Sequence, residues 1–566
     1  MNELARVVVG LCVAIGLTWS QRSEACGCFA PPNAAEPIVQ AGERILFSVK
    51  DGKVTAHIQI QYAGEAKDFG WLLPLPSIPT LKVGSDEVFT QLSATTQPIY
   101  SVTQVQGTPC RGGSGGVPLF ACASPQSVTR QSGGQFGTPD AGTSSPLVVT
   151  DSVGPYEYAV LRADDQTAML QWLSTNGYFV PAGTDGAVGP YIRPGAYFLA
   201  LRLKAGASTG DLTPVVLEYP SALPMIPIIL TSIGATPNMG VQVYLLGNGR
   251  GIPRNYHHVV INDALLDWMN GGANYAAMVT AAVAAAPQKH AFVTEYAGPS
   301  AVMRNRLASP DRFGTEAELA RQATPPLFVA TLMRTDFEDP NGAGQLPSPV
   351  IALLLRDIPM PAALKARGVT ENTFFTQLDY YLGTYRTQNP TDFEGYVLDF
   401  DAPSLAKQIF EQYVAPMREA NALFDEFPTL TRLITTLSPE DMTADPVFSF
   451  NPDLPNVSRQ HAAKLITDCG SFRLVTEQGW VIKDVMTGAP PPAFATTPVA
   501  LRVEVLGEEG QATVATDHQP TIHERFTLET DAAPPMKEAA PMGGCSTVDP
   551  MSLGLLALMA LRRRRS

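Results

Sequence analysis

Residues 44–62 have the sequence RILFSVKDGKVTAHIQIQY and predict a β-hairpin. Asp51-Gly52, between the two runs, is a typical pair for a two-residue type I′ turn, in which both central residues need a positive φ. In the second run, apolar and polar residues alternate with the period of two that a half-buried strand requires. The side chains expected to face the core are those of Val54, Ala56, Ile58, Ile60 and Tyr62. The side chains expected to be more exposed are those of Thr55, His57, Gln59 and Gln61.

Further short strands are predicted after the hairpin, and helices become more frequent after residue 263. The expected strands lie at 196–204, 213–219, 227–231 and 241–247, with turn residues between them. Helices are expected at 275–286, at 404–427 and over Thr429–Leu437. The predicted fold class is α+β and β-rich, with an antiparallel sheet (sandwich or barrel-like) in the N-terminal domain and a mixed helical and strand region after it.

A chain of 566 residues exceeds the usual size of one hydrophobic core, so more than one domain is expected. The predicted segments are a β-rich domain at 26–262, a mixed α+β region at 263–487, a linker with C-terminal strands at 488–530 and a disordered spacer at 531–541. Within the first domain, residues 107–150 are dense in Gly, Ser, Thr, Gln and Pro. This composition predicts a mobile loop.

The N-terminus has the features of a secretory signal peptide over residues 1–25. Arg6 precedes an apolar run at 7–19, and Ser23 and Ala25 place small residues where signal peptidase needs them for a cut before Cys26. Ordinary cleavage is favoured over acylation of Cys26, because Glu24 stands where a lipoprotein signal needs a small residue. The sequence therefore predicts export.

The C-terminus carries a glycine-cysteine-serine box, a short apolar run at 551–561 and a basic end. The residues of the box and of the basic end are Gly544, Cys545, Ser546, Arg562, Arg563, Arg564 and Arg565. The apolar run has about half of the roughly 20 residues that a spanning helix needs, and arginines after it resist translocation.

Residues 542–566 resemble the myxobacterial C-terminal sorting tag (MYXO-CTERM), which has this box, apolar segment and basic end. The resemblance implies insertion into the inner membrane, cleavage near Cys545 by a sortase-like membrane protease, and display on the cell surface or outer membrane. An ordinary C-terminal tail anchor is the alternative.

The charge composition of the chain indicates which classes of partner are expected. Only 16% of the residues are charged, and the formal net charge is -14 at pH 7. An acidic surface repels phosphate backbones, so no nucleic-acid partner is expected. The expected partners are signal peptidase, the sortase-like protease and the cell envelope, and the sequence does not identify a ligand.

The cysteines suit an oxidising compartment. Cys110 and Cys122 flank a Gly/Ser-rich segment, so a disulfide between them is predicted. Closing such a short loop stabilises the fold by about 3 kcal/mol in the chain-entropy model. Cys469 can pair with Cys26 or Cys28. A zinc site is not expected, because the Cys26-Gly27-Cys28 motif has no second ligand motif near it.

Several short motifs resemble a family of exported bacterial proteins that is classed as a domain of unknown function. They are CGCF at 26–29, AGERILF at 41–47, FGWLLPLP at 69–76, LKVGSD at 81–86, MIP at 225–227, LSPEDMT at 437–443 and DPVF at 445–448. The strand predicted at 54–62 belongs to the same set. The resemblance covers most of the mature chain, and it implies neither an activity nor a catalytic residue.

Two glycine motifs match known patterns in the wrong context. GGSGG at 112–116 has the form G-x-S-x-G, but it lies in a Gly-rich loop without the strand and helix that a nucleophile elbow needs. GNGRG at 247–251 follows a predicted strand, but Pro253 stands where a nucleotide-binding helix should begin. We interpret the first as a loop and the second as a tight turn.

Candidate metal ligands are few. His257 and His258 are adjacent in a predicted strand, so their rings should face opposite sides, one packed and one solvated. The acidic loop at 336–341 departs from the calcium-loop pattern at Pro340. No catalytic residue, cofactor or metal ligand is therefore predicted.

The sequence favours a non-enzymatic protein anchored at the cell surface as an envelope scaffold, an adhesion protein or a ligand-binding protein. The alternatives are a secreted hydrolase whose site is assembled from distant residues and a calcium-dependent surface module. A deep pocket lined by His257 or His258 together with a carboxylate would favour the hydrolase.

Overall fold

A computed structural model describes residues 39–63, 70–107, 145–178, 184–204, 212–307, 313–333, 346–468, 471–483, 485 and 496–529. Its strands are β1 (Val39–Lys50), β2 (Lys53–Ala63), β3 (Gly70–Leu75), β4 (Thr80–Val83), β5 (Ile99–Gln106), β6 (Leu147–Val153), β7 (Tyr156–Arg162), β8 (Tyr197–Leu203), β9 (Val215–Pro220), β10 (Ala235–Gly247), β11 (Arg250–Pro253), β12 (His257–Ile261), β13 (Ala291–Pro299), β14 (Thr429–Leu437), β15 (Phe448–Asn451), β16 (Gln460–Asp468), β17 (Ser471–Val475), β18 (Trp480–Lys483), β19 (Ala500–Val505), β20 (Thr513–Asp517) and β21 (Thr527–Leu528).

The α-helices of the same part are α1 (Asp86–Thr96), α2 (Gln166–Thr175), α3 (Thr184–Val188), α4 (Ile228–Thr231), α5 (Tyr275–Val283), α6 (Glu316–Leu319), α7 (Pro325–Leu332), α8 (Ser348–Asp357), α9 (Ala362–Ala366), α10 (Glu371–Thr376), α11 (Leu378–Tyr380), α12 (Arg386–Gln388), α13 (Ala402–Ile409), α14 (Ala415–Glu426) and α15 (Gln519–His523). Among the described residues, no helix is both long enough and apolar enough to cross a membrane.

The described strands form four sheets. The largest has ten strands in the order β20-β19-β12-β13-β14-β10-β1-β2-β9-β4, and the others have the orders β21-β18-β17-β16-β5, β3-β8-β7-β6 and β11-β15. Most neighbours are antiparallel, and the parallel pairs are β1 with β10, β12 with β13 and β5 with β16. The ten-stranded sheet takes strands from each of the segments 26–262, 263–487 and 488–530, and β6 begins within the predicted loop 107–150.

The predicted hairpin is confirmed. β1 and β2 pair antiparallel, with Lys50 opposite Lys53 at the turn. Asp51 and Gly52 have φ values of 51° and 71°, as a type I′ turn requires. Val54, Ala56 and Ile58 are buried, whereas Thr55 and Gln59 are half-buried. The side chains of Ile60, Gln61 and Tyr62 lie outside the described residues.

Both faces of the ten-stranded sheet are covered. On one face, Phe47 and Val54 pack in a core with Leu73 and Phe198 of the four-stranded sheet, which makes a β-sandwich. On the other face, Leu46 and Tyr244 pack with residues of the helical layer formed by α1 and the helices between residues 316 and 426. The predicted class, α+β with an antiparallel sandwich followed by a helical region, is confirmed.

The expected exposure of His57 is wrong. Its side chain is only 3% exposed, and Nε2 has no hydrogen-bond partner. The reason is the helical layer, because Leu46, the cross-strand partner of His57 on the same face, packs in the core that this layer forms. A period of two shows which side chains share a face, but it does not show that a second layer covers the polar face.

Two predicted elements have the opposite type. Thr429–Leu437, expected to be helical, is β14, which pairs with β10 on one side and β13 on the other. Its β-branched residues suit a strand, and two ladders of hydrogen bonds outweigh the local helical pattern. Residues 227–231, expected to be a strand, contain α4 instead.

Candidate functional site

A cleft of about 770 Å³ lies between one end of the ten-stranded sheet and the five-stranded sheet. Strands β12, β13 and β19 supply one wall, and β5 and β16 supply residues of the other. The first wall carries a cluster of buried polar side chains, whereas the second carries aromatic rings. This size and this combination of surfaces are typical of small-molecule sites.

The polar wall is built around a cross-strand pair. His258 of β12 lies directly opposite Glu504 of β19 in the antiparallel register. His258 Nδ1 and Glu504 Oε2 are 3.0 Å apart, and both side chains are buried. Arg502, two positions before Glu504 on the same strand, donates from Nε to Glu504 Oε1 at 2.8 Å. Alternation along β19 therefore places the carboxylate between a histidine and an arginine.

Arg250 of β11 completes the polar wall. Its Nη2 donates to Thr294 Oγ1 at 2.8 Å and lies 3.3 Å from His258 Nε2, and its Nη1 donates to the Pro455 carbonyl at 3.4 Å. Because a guanidinium can only donate, His258 Nε2 is the acceptor and the ring proton lies on Nδ1, facing Glu504. The arginine thus contacts a neutral imidazole rather than a carboxylate.

Burial and hydrogen bonding set the protonation states of this cluster. Burial lowers the pKa of His258, although Glu504 acts in the opposite direction. Burial alone would raise the pKa of Glu504, but hydrogen bonds from His258 and Arg502 bring it down to about 2. Burial also lowers the pKa of Arg250 to about 10. At neutral pH the cluster contains two cations, one carboxylate and a neutral histidine.

A β-bulge places a second carboxylate in the cleft. In the ladder between β13 and β14, the register skips Glu295, which follows Thr294. Bulges redirect side chains in this way and are common beside functional sites. Glu295 forms a buried ion pair with Arg432 of β14 and accepts a hydrogen bond from Tyr275.

Tyr100 is the centre of the aromatic wall. Its ring stacks on His461 with 5.0 Å between centroids and meets Trp268 edge-on at 5.6 Å. Gly272 permits this position, because a Cβ there would lie 2.4 Å from the Tyr100 ring. His461 Nδ1 in turn is 2.6 Å from Glu477 Oε2. The wall therefore presents packed rings with a polar edge.

Asp263 also lines the cleft, and its carboxyl is a weaker acid than that of an ordinary aspartate. Burial raises its pKa to about 7, despite opposing hydrogen bonds from Thr476 and from the Gln478 backbone N–H. The Gln478 N–H donates to Asp263 Oδ2 at 2.9 Å. A substantial fraction of this carboxyl is therefore protonated at neutral pH.

Sequence reasoning identified few of these residues. His258 is buried and His257 half-buried, so the two rings are not the packed and solvated pair expected. The GNGRG motif at 247–251 is a tight connection between β10 and β11, and it carries Arg250. A Cβ at Gly251 would lie 2.5 Å from Leu245, so this close approach requires a glycine.

The predicted processing residues lie outside the described residues. They are Ala25, Cys26, Gly544, Cys545, Ser546, Arg562, Arg563, Arg564 and Arg565. The same holds for the predicted Cys110–Cys122 disulfide, for Cys469 and for the segments 112–116 and 336–341. Among the residues that the structure does describe, no group of three or more His, Cys, Asp or Glu side chains could hold a metal ion.

Comparison with known proteins places the chain in a family without a described activity. A family model described as "Uncharacterized protein conserved in bacteria (DUF2330)" matches residues 22–320. The match includes the hairpin and, in the cleft, Tyr100, Arg250, His258 and Glu295. No curated protein and no solved structure matches the chain. The chain belongs to DUF2330, a family of uncharacterized proteins conserved in bacteria.

Proposed function

We propose that the chain is an exported protein of the cell envelope that binds a small ligand in the cleft between the two sheets. The observation that carries this proposal is the cleft itself, with buried, hydrogen-bonded polar groups on one wall and stacked rings on the other. An adhesion protein or a scaffold acts through its outer surface. A buried polar cluster inside a cleft is of more use to a protein that binds a small molecule.

The polar cluster supports binding because it is already ordered. Cross-strand pairing holds His258 against Glu504, and a bulge holds Glu295 in place. Side chains that are fixed before binding lose little conformational entropy when a ligand arrives. Placement on strands rather than loops keeps their geometry precise enough to select one ligand.

The proposed location of the mature protein is the cell surface. The motifs at 1–25 and 542–566 support export by signal peptidase cleavage after Ala25 and display after cleavage near Cys545 by a sortase-like protease. Replacing Cys545 with Ala should retain the C-terminal peptide and change the location of the chain in fractionated cells. If the wild-type protein keeps its C-terminal arginine cluster and the variant has an unchanged location, the proposed cell-surface location is wrong.

Ligand binding is tested with a cleft-filling variant. The full chain is screened against small organic molecules by thermal shift, and each hit is remeasured in Ala512→Trp, which narrows the cleft. The control is Val397→Trp, at an apolar residue that is 73% exposed and does not line the cleft. Hits should lose their stabilising effect only in Ala512→Trp. Hits that bind both variants equally, or a screen without hits, would refute the proposal.

A hydrolase is the second candidate, because the cleft combines His258 with a carboxylate. Acyl transfer is not favoured, since His258 Nε2 faces Arg250 and no Ser or Cys is among the described residues that line the cleft. Asp263 favours acid–base hydrolysis instead, because a carboxyl with a pKa of about 7 can donate a proton at neutral pH. Asp263→Asn should then abolish hydrolysis of chromogenic glycosides, whereas Asp267→Asn should not. Absence of hydrolysis by the wild type would exclude this candidate.

A further inference from the structure

One buried arginine of the cleft, Arg250, has no carboxylate in contact with it among the described residues. Glu504 is paired with Arg502 at 2.8 Å, and Glu295 is paired with Arg432. In the part of the chain that the structure describes, Arg250 contacts no carboxylate. Its partners are the Thr294 hydroxyl, the Pro455 carbonyl and the neutral His258 ring, none of which carries a charge.

Arg250 is also deeply buried. Its residue is 7% exposed, and its Nε has no hydrogen-bond partner among the described residues. Removing a cation from water costs several kcal/mol unless an anion compensates for it. Glu504 compensates for part of this charge by Coulombic attraction, but it does not contact Arg250, because the His258 ring lies between them. The guanidinium therefore lines the cleft without a contacting carboxylate, and part of its donor capacity has no partner among the described residues.

We propose that an oxyanion of the ligand, a carboxylate or a phosphate, binds to Arg250. This inference rests on the proposed ligand-binding function and names the class of ligand. A buried guanidinium attracts such groups, and within the described part of the chain its Nε and the second N–H of Nη1 remain free to donate to an oxyanion oxygen. His258 and Thr294 hold the guanidinium in place, and Glu504 orients His258 by accepting its Nδ1 proton.

The remainder of the ligand is expected to be apolar and flat. Tyr100, Trp268 and Tyr275 line the same cleft, and the Tyr100 ring contacts the rings of the other two. Aromatic rings offer a large contact area to flat apolar bodies. The cleft thus suits an organic anion with an aromatic body, and inorganic anions should bind more weakly.

The test compares probes of one shape and different charge. Binding of benzoate, phenyl phosphate and neutral benzamide to the full chain is measured by isothermal titration calorimetry. We expect at least one anion to bind about tenfold or more tightly than benzamide. Comparing the two anions separates a carboxylate site from a phosphate site.

Variants of two arginines complete the test. Arg250→Gln should remove the preference for the anion, whereas Arg254→Gln, which alters a half-exposed arginine near the same strand, should keep it. Arg250→Lys retains the charge but not the planar guanidinium that His258 and Thr294 position, so it should keep part of the preference. It also serves as the test if Arg250→Gln fails to fold, which circular dichroism would show.

The outcomes separate the two proposals. If benzamide binds as tightly as both anions, or if Arg250→Gln keeps the preference, the oxyanion proposal is wrong while ligand binding in the cleft stands. If none of the probes binds at millimolar concentration, the oxyanion proposal is also overturned. In that case the screen with Ala512→Trp decides independently whether the cleft binds any ligand.

Discussion

Replacing His57 with leucine should remove a large part of the acid sensitivity of the fold. His57 is buried between the ten-stranded sheet and the helical layer, and its Nε2 makes no hydrogen bond. Burial, and secondarily the nearby charge of Lys82, lowers the pKa of His57 to about 4, although Glu218 acts in the opposite direction. The native fold therefore holds a neutral imidazole that the unfolded chain protonates more readily.

The magnitude follows from the difference between the two pKa values. The ordinary pKa is 6.5 and the folded one about 4, and each unit corresponds to about 1.4 kcal/mol. Because the folded pKa is depressed, the unfolded state binds more protons between these two values, so stability falls as the pH falls. The wild type should lose about 3 kcal/mol relative to His57→Leu between pH 7 and pH 4.

The assay is urea unfolding followed by tryptophan fluorescence at several pH values. The free energy of unfolding is obtained from the midpoint and the slope, and the slope must agree between the variants for the comparison to hold. Leucine should be accepted at this site, because its cross-strand neighbours are Leu46 and Val216. Thr55→Val, a change on the same strand face without a titrating group, is the control.

One result would refute the reasoning. If the difference between wild type and His57→Leu is the same at pH 7 and pH 4, burial does not suppress protonation of His57. The difference between wild type and Thr55→Val should not vary with pH. A similar pH dependence in both variants would point to a general effect of acid on the sheet rather than to His57.

Three further predictions concern two buried glutamates and the predicted disulfide. Burial raises the pKa of Glu43 from 4.5 to about 7, so the fold loses stability as the pH rises through this range. Glu43→Gln should therefore add about 3 kcal/mol to the free energy of unfolding at pH 8 but little at pH 4. Equal effects at both pH values would contradict this. Glu295→Gln leaves its buried arginine partner uncompensated and should cost about 3 kcal/mol in urea unfolding, whereas Glu157→Gln, which breaks an exposed pair, should cost under about 1 kcal/mol. Peptide mapping without reductant should find Cys110 joined to Cys122 in the exported protein, and a free thiol at either position would disprove the pairing.

Local pattern was sufficient where neighbouring residues decide the structure. The Asp51-Gly52 turn, the alternation of Val54, Ala56 and Ile58, and the β-rich class with helices after residue 263 were all predictable, because turn geometry and side-chain periodicity act over a few residues. The family could also be recognised from short motifs in the chain. These features do not depend on which distant segment packs against them.

The tertiary structure determined the burial of His57, the strand type of β14 and the assembly of the cleft. The burial of His57 depends on a helical layer supplied by residues 316–426, and β14 is a strand because β10 and β13 flank it. The cleft joins His258 to Glu504, which lies 246 positions further along the chain. Nothing in the sequence around either residue shows that they meet. Their hydrogen bond exists because strand pairing brings β12 and β19 side by side, and pairing between distant strands leaves no trace in a local sequence pattern.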